Sequence, residues 1–324
     1  MIMSGVRNKI LCLCVLLTFL FAVSACQKDA KVEVGRKKLV VVTTLFPLYD
    51  FARTIGGERA EVSLLLPPGV EPHHFEPRPS DVAKIENADL FIYTGPFMEP
   101  WADSLLEGIG RSKLIAINAG AGVKLMKTGE LNAGEDGHRH GKKEEAGKID
   151  PHIWLDFSNA VKMADNISAG FIAKDPEGEN IYAANAEVCK ERLRRMDEKY
   201  RTSLSGCRVR VIVHAGHFAF GYLAKRYGLG YVSVYPGATL DQEPTPRRMI
   251  DIAERIRRQG IRYIFYDDII SPKVAEVLSR ETGTGRLSLK TAHNVSKGEL
   301  ETGATFLSLM ERNLENLRVG LQCQ

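Results

Sequence analysis

Short apolar runs alternate with amphipathic segments through the first third of the chain. The runs are rich in β-branched residues and bounded by proline or glycine, which predicts strands over residues 38–46, 60–68, 89–95 and 112–118. Helical spacing between them predicts helices over 49–57 and 78–88, the second with Ser80 as its N-cap. Alternation of this kind is typical of a parallel sheet covered by helices.

The pattern changes twice further along the chain. Spacing is helical from residue 157 to 204, and it divides at "KDPEG" (174–178) into two helices. Alternation then returns, with strands predicted over 208–216, 231–237, 261–268 and 286–290 and helices over 217–228, 245–260, 271–283 and about 300–321. The predicted fold class is therefore α/β, with two lobes of parallel sheet joined by a long helical spacer.

The amino-terminal segment has the pattern of an export signal. A basic start at residues 7–9 precedes an uncharged, largely apolar run over 10–25, which is short for a membrane-spanning helix of about 20 residues. The run ends in "VSAC", which resembles a bacterial lipobox with Cys26 as the acylated residue. A plain signal anchor is the alternative.

These patterns divide the chain into five parts. One of them contains a glycine-rich, charged insert, "GEDGHRHGKKEEAGK", that lacks periodic apolar residues and is predicted to be mobile. The expected parts are a signal peptide (1–25), a tether (26–38), an amino-terminal lobe (39–156) with the insert at 130–148, a helical linker (157–204) and a carboxy-terminal lobe (205–324).

The net charge bears on possible partners, and the cysteines bear on disulfides and thiolate metal sites. The formal net charge is only +4, and no dense Lys/Arg run with interleaved aromatic residues occurs, so no nucleic-acid partner is expected. Beyond Cys26, an odd number of cysteines remains: Cys189, Cys207 and Cys323. Three cysteines allow one disulfide, of which Cys189 with Cys207 is one possibility, and the sequence decides neither its presence nor its pairing. The absence of a CxxC pair argues against a thiolate zinc site.

Histidines are the strongest chemical signal in this sequence. Outside the insert they lie in loops or close to predicted strand ends, where open α/β sheets bind ligands, and the full set is His73, His74, His138, His140, His152, His214, His217 and His293. Neutral imidazoles from separate loops suit first-row transition metals, zinc above all. The sequence contains no HExxH, GxSxG, P-loop or dinucleotide motif.

Four segments carry a resemblance to a known family: "VVTTLFPLYDFARTIGG", "GVEPHHFEPRPSDVAKIENADLFIYTG", "DPHIWLD" and "HFAFGYLAKRYGL". Together they resemble the cluster A-I (cluster 9) solute-binding lipoproteins of zinc and manganese ABC importers, and the likeness covers nearly all of the mature chain. It implies two α/β lobes joined by a helix, a metal site in the cleft between them, and little lobe motion on binding.

The resemblance also implies a ligand set. His73, His152 and His217 match the family's three ligand segments, which leaves His74 and His214 as accessory residues. The pair His138 and His140 in the insert is expected to collect metal only weakly.

A fourth ligand is less clearly indicated. Manganese-preferring members resemble a two-histidine, two-carboxylate pattern, whereas this chain has His217 at the third position and "TAHNVS", with His293, in the last segment. Glu243 is a candidate by chemistry alone and His293 by position. The nitrogen-rich set favours Zn²⁺, with Mn²⁺ as the alternative.

The expected protein is a lipid-anchored, extracytoplasmic receptor that captures Zn²⁺ and delivers it to an ABC permease. We expect a monomer with no enzymatic activity, attached to the membrane through the lipid on Cys26. One alternative is a manganese receptor of the same family, and another is a zinc-dependent hydrolase with Glu243 as base. The sequence does not address an adhesin role.

Overall fold

Two four-stranded parallel sheets organise the residues that the computed structural model describes, which are 37–110, 113–128, 148–217, 219–235, 244–267 and 272–324. The first contains β1 (Leu39–Thr43), β2 (Ala60–Leu64), β3 (Leu90–Tyr93) and β4 (Ile115–Asn118) in the order β2-β1-β3-β4. The second contains β5 (Val211–His214), β6 (Gly230–Ser233), β7 (Tyr263–Tyr266) and β8 (Gly285–Ser288) in the order β6-β5-β7-β8. Both sheets therefore have the same topology.

Helices follow or flank these strands in both halves of the chain. In chain order they are α1 (Phe46–Gly56), α2 (Pro79–Glu86), α3 (Ala102–Ile109), α4 (Phe157–Lys174), α5 (Glu179–Ser205), α6 (Gly221–Arg226), α7 (Pro246–Gln259), α8 (Lys273–Thr282), α9 (Lys297–Glu301) and α10 (Phe306–Gly320). None of the helices in the described ranges has both the length and the apolar content needed to span a bilayer.

Helix α5 connects the two halves through its buried face. The Asn185 side-chain amide donates to the Ile55 carbonyl in α1 at 3.0 Å, and the Tyr200 hydroxyl donates to the Met310 carbonyl in α10 at 2.6 Å. Tyr182, Leu193 and Tyr200 are fully buried along this helix. A helix bonded to one helix of each half in this way fixes the relative positions of the two halves.

Further hydrogen bonds join the two halves at the carboxyl ends of the strands. Backbone bonds run from the Phe46 N–H to the His293 carbonyl at 3.1 Å and from the Gly69 N–H to the Val295 carbonyl at 2.9 Å. The Trp154 indole N–H donates to the Thr291 carbonyl at 2.8 Å. Loops from both sheets consequently meet along one edge, where parallel α/β sheets place their ligands.

Most of the elements predicted from the sequence are present. All eight strands occur within the predicted segments or one residue from them, and the helical stretch divides at Lys174–Gly178 as predicted. Helix α3 was not predicted. Ser80 is not an N-cap, because α2 begins at Pro79 and the Asp81 carboxylate accepts the N–H of the true N-cap, Arg78, at 3.1 Å.

The carboxy-terminal helix is also not continuous as predicted. It is replaced by α9 and α10, which are separated by a turn with Gly303 at a φ of 76°. Glycine adopts this left-handed conformation without the steric cost that a side chain brings. Thr305 then begins the second helix by accepting the Ser308 N–H at 3.1 Å.

The disulfide joins Cys207 to Cys323, so the Cys189–Cys207 pairing considered from the sequence is wrong. Cys189 is a free, buried thiol on α5. From Cys189 to the end of that helix the chain rises by about 24 Å, at about 1.5 Å per residue. Disulfide-bonded residues need Cα atoms within roughly 7 Å of each other, so the long helix keeps these two cysteines apart.

Candidate metal centre

Three imidazole nitrogens converge at the edge where the loops of the two sheets meet. The Nε2 atom of His152 lies 3.2 Å from that of His73 and 3.1 Å from that of His217. Donors about 2.0–2.1 Å from a tetrahedral zinc ion are separated from one another by about 3.3 Å. Both separations are therefore close to that of two donors on one tetrahedral zinc ion, and the ligand atoms of the three histidines all lie within 4.8 Å of one another.

Two of the three histidines follow a strand, and the third, His152, lies in the long segment between β4 and α4. His73 lies in a short 3₁₀ turn, Pro72–His74, beyond β2, and His217 comes three residues after β5. His152 immediately precedes a second 3₁₀ turn, Ile153–Leu155, which leads into α4. The first half of the chain thus supplies two of the imidazoles and the second half supplies one.

Carboxylates hold the backbone of two of these loops through the same local motif, acid-Pro-His. The His73 N–H donates to Glu71 Oε2 at 2.9 Å, and the His152 N–H donates to Asp150 Oδ1 at 3.0 Å. Asp150 Oδ1 also lies 2.8 Å from His152 Nδ1. Because this contact places the proton on Nδ1, it leaves the lone pair of His152 on Nε2, facing the other two imidazoles.

Burial keeps the imidazoles in the form that binds a metal. His152 and His217 are fully buried, and the His73 side chain is 5% exposed. Burial lowers the pKa of both His73 and His217 well below 6.5, and the neighbouring imidazoles lower it further. Both rings are therefore neutral at physiological pH and free to coordinate through nitrogen.

His293 lies next to His73 and His217, but it is not one of the three histidines whose nitrogens converge. Its ring centroid lies 6.4 Å from that of His73 and 6.2 Å from that of His217. Thr291 Oγ1 lies 2.7 Å from His293 Nδ1 and donates to Asp267 Oδ2 at 2.7 Å. Since the threonine proton goes to Asp267, Nδ1 of His293 must donate, which leaves its Nε2 as the free nitrogen.

The two accessory histidines lie apart from the three converging nitrogens. His74 is exposed beside His73. His214 is fully buried, and its Nδ1 accepts the Gly216 N–H at 3.1 Å. Burial lowers the pKa of His214 to about 4.

Comparison with protein families and with known proteins finds relatives that are named for zinc uptake or zinc binding. Residues 41–320 match the family described as ZnuA, zinc-uptake complex component A periplasmic. The high-affinity zinc uptake system protein ZnuA of Bacillus subtilis (strain 168) is 35% identical over 284 residues, covering 88% of each chain. The zinc-binding protein AdcA of Streptococcus pyogenes serotype M18 (strain MGAS8232) is 34% identical over 324 residues, covering 97% of this chain and 61% of AdcA.

This chain belongs to the ZnuA family. The crystal structure of the Zn(II)-bound ZnuA-like domain of Streptococcus pneumoniae AdcA is similar, with a TM-score of 0.74 and 32% identity over 88% of this chain and 99% of that domain. The family resemblance and the two-lobed α/β fold predicted from the sequence are thus confirmed. Relative to the AdcA proteins, the chain spans about three fifths of their length.

Several residues predicted from the sequence as metal ligands, accessory histidines or the lipidation site lie outside the described ranges. These are Cys26, His138, His140 and Glu243, together with nearly all of the insert. Three buried residues beside the site were not predicted, namely Asp150, Asp267 and Thr291, and neither was Glu71. A signal for two of them was present, because an acid-Pro-His sequence occurs at both Glu71 and Asp150.

Proposed function

We propose that this protein is the extracytoplasmic receptor of a zinc importer, binding Zn²⁺ between its two lobes and delivering it to an ABC permease. The observation that carries the proposal is the convergence of the Nε2 atoms of His73, His152 and His217, with neighbouring separations of 3.1 and 3.2 Å. Family membership supports the transport role, since the ZnuA family is described as a component of a zinc-uptake complex.

The metal is proposed to be zinc rather than manganese. Three buried imidazoles form a nitrogen-rich set, and imidazole suits zinc whereas carboxylate oxygens suit manganese. Relatives named as zinc-binding proteins support the same choice. His293 is proposed as one candidate for the fourth donor, because its Nε2 is the free nitrogen and its ring centroid lies 6.4 Å from that of His73 and 6.2 Å from that of His217.

Alanine substitution of single histidines tests the ligand set. His73→Ala, His152→Ala and His217→Ala should each lower zinc affinity more than about 100-fold, since each removes a direct metal bond rather than a supporting residue. Competitive titration of zinc against a chelator measures the effect.

His74→Ala is the matched control, because His74 is exposed and adjacent to His73. Its zinc affinity should stay within about threefold of the parent, as expected for a surface residue that makes no metal bond. If His74→Ala were as damaging as His73→Ala, the ligand assignment would be wrong.

We also propose that the mature chain is anchored through lipid on Cys26 and acts as a monomer. The lipobox-like "VSAC" sequence supports the anchor, and a homologue from Streptococcus pneumoniae is named a zinc-binding lipoprotein. Intact-mass measurement of the protein purified from membranes checks the acylation, and a mass without lipid would remove the anchor from the proposal. Sedimentation of the delipidated chain checks its oligomeric state.

A hydrolase remains the competing function from another class. It would use the same imidazoles with an open position for water and Glu243 as base. The transport role is favoured by the family match. Turnover of generic ester and peptide substrates by the zinc-loaded protein would favour the hydrolase instead.

A further inference from the structure

The two acid-Pro-His loops of the site differ in one respect that the ligand set leaves unexplained. In both loops the acid accepts the N–H of its own histidine, at 2.9 Å for Glu71 and 3.0 Å for Asp150. Asp150 uses that same oxygen to hold His152 Nδ1, on the side of the ring away from the other imidazoles. Glu71, which is one methylene longer, extends past its histidine toward the opposite side of the ring.

The second oxygen of Glu71 faces the converging nitrogens. Oε1 lies 3.9 Å from Nε2 of His73, the nitrogen assigned to the metal. It is buried, and no residue in the described ranges donates a hydrogen bond to it. A buried carboxylate oxygen left without a partner is costly, so such atoms usually mark a bound ion or water.

Distances favour an ion at this position. Two donors to one tetrahedral zinc ion stand about 3.3 Å apart, so Oε1 needs to move by only about 0.6 Å relative to His73 Nε2 to reach such a separation. Glutamate has the torsional freedom to make that movement while Oε2 keeps the His73 N–H. No other carboxylate oxygen is found so close to Nε2 of His73 among the ion pairs of the described residues.

We propose that Glu71 is the metal-facing carboxylate of this site, giving an oxygen donor and a negative charge beside the three imidazoles. The inference rests on the proposed metal-binding function of His73, His152 and His217. Its consequence is for selectivity: an oxygen donor in a nitrogen-rich site raises affinity for every divalent cation, and most for those that prefer carboxylate, such as Mn²⁺.

Glu71→Gln is the discriminating variant. The amide keeps the shape of the side chain and an oxygen for the His73 N–H, but it removes the charge. Zinc affinity should fall about 10- to 100-fold, and affinity for Mn²⁺ should fall by a larger factor than affinity for zinc. The visible absorption of the Co²⁺-loaded protein should shift, because a carboxylate donor has been replaced.

Glu76→Gln is the matched control, since Glu76 lies in the same loop and is exposed. It should leave both affinities and the Co²⁺ spectrum unchanged. If Glu71→Gln behaves like Glu76→Gln, the proposal is wrong. An equal loss for zinc and manganese with an unchanged Co²⁺ spectrum would also overturn it, because that result reports only loop positioning.

The same titrations separate this inference from the function on which it rests. If His152→Ala abolishes zinc binding while Glu71→Gln has no effect, only the role of Glu71 fails. If His152→Ala retains full affinity, the metal site itself is misassigned. Thermal unfolding of each metal-free variant shows whether an affinity loss arises from misfolding.

Discussion

At the scale of single residues, burial sets the chemistry of the site before any metal is bound. An imidazole coordinates a metal only when neutral, and an exposed one becomes protonated near pH 6.5. His73 and His217 are buried against other imidazoles, and both effects lower their pKa. Protonation of these rings therefore requires a more acidic solution than it would in water.

Zinc affinity should consequently be insensitive to mild acidification. Lowered pKa values keep His73 and His217 neutral through about pH 6.5, so affinity should hold nearly constant from about pH 8 to 6.5 and fall only below that range. Competitive titrations at a series of pH values, corrected for protonation of the chelator, measure this. A tenfold loss between about pH 7.5 and 6.5 would contradict it.

Residue identity at the site was partly predictable. His73, His152 and His217 could be selected because they match the ligand segments of the family that the chain resembles, whereas strand ends alone mark His74 and His214 as well. Asp267 and Thr291 could not, because their roles depend on a contact that forms only in the folded chain, where Thr291 Oγ1 donates to Asp267 Oδ2 at 2.7 Å. Glu243 was selected by side-chain chemistry alone, and it lies outside the described residues.

At the scale of elements, loops at the carboxyl ends of the strands are held by side chains from the opposite lobe. The Asn294 side-chain amide donates to the carbonyls of Pro67 and Val70, both at 2.8 Å. Its own oxygen accepts the Val295 N–H at 2.8 Å. The two bonds to Pro67 and Val70 fix the segment that leads into His73, and the bond from Val295 orients the Asn294 side chain.

Asn294→Ala should therefore weaken both the fold and the site. The Val70 carbonyl loses this donor, while the Pro67 carbonyl keeps only the Val70 N–H at 3.2 Å, so the free energy of unfolding should fall by about 1–3 kcal/mol. A looser His73 segment must be ordered again when zinc binds, so zinc affinity should also fall. Chemical denaturation and competitive titration measure the two effects separately.

Asn316→Ala is the control for this pair of measurements. Asn316 makes a bond of the same type, to the Ser288 carbonyl at 2.8 Å, but it does not touch the His73 loop. It should lower stability without lowering zinc affinity. Equal effects on affinity in both variants would show that Asn294 has no special role in the site.

Elements with strong periodic or apolar patterns were predictable, whereas helix α3 was missed. Strand β3, with all four residues buried, is an unbroken apolar run in the sequence. Helix α3 follows a loop in which buried Glu99 accepts the N–H groups of Thr94 and Gly95 at 3.1 Å each. The helix itself carries local signals that the prediction missed, namely Asp103 in its first turn and Gly110 at its C-cap.

At the scale of the whole molecule, two sheets of identical topology are joined by α5 and by hydrogen bonds between opposing loops. The family resemblance predicted little movement of the lobes on metal binding, and bonds such as Gly69 N–H to the Val295 carbonyl would have to break for the cleft to open. The division of the chain into lobes and linker remains a prediction. The disulfide could not be predicted, because Cys323 approaches Cys207 only after the second lobe has folded.

Removing that disulfide should reduce stability more than it reduces zinc binding. The bond closes a loop of 116 residues, and loss of a native disulfide costs about 2–5 kcal/mol. Cys207 lies before β5, at the amino-terminal edge of the second sheet, whereas His217 follows the carboxyl end of that strand. The Cys207→Ser/Cys323→Ser double variant should therefore unfold at lower denaturant and retain its zinc affinity.

Cys189→Ala serves as the comparison, since it removes a thiol that forms no disulfide. It should destabilise the fold less than the double variant does. A double variant as stable as the parent under oxidising conditions would show that the bond contributes nothing to the folded state.

The position of this disulfide also dictates when it can form during biosynthesis. Cys207 is translated 116 residues before Cys323, and the strands of the second lobe lie between the two cysteines in the sequence. Oxidation to the native pair must wait until that whole lobe has been translated. Until Cys323 has been made, Cys207 has no native partner and stays available for incorrect disulfides.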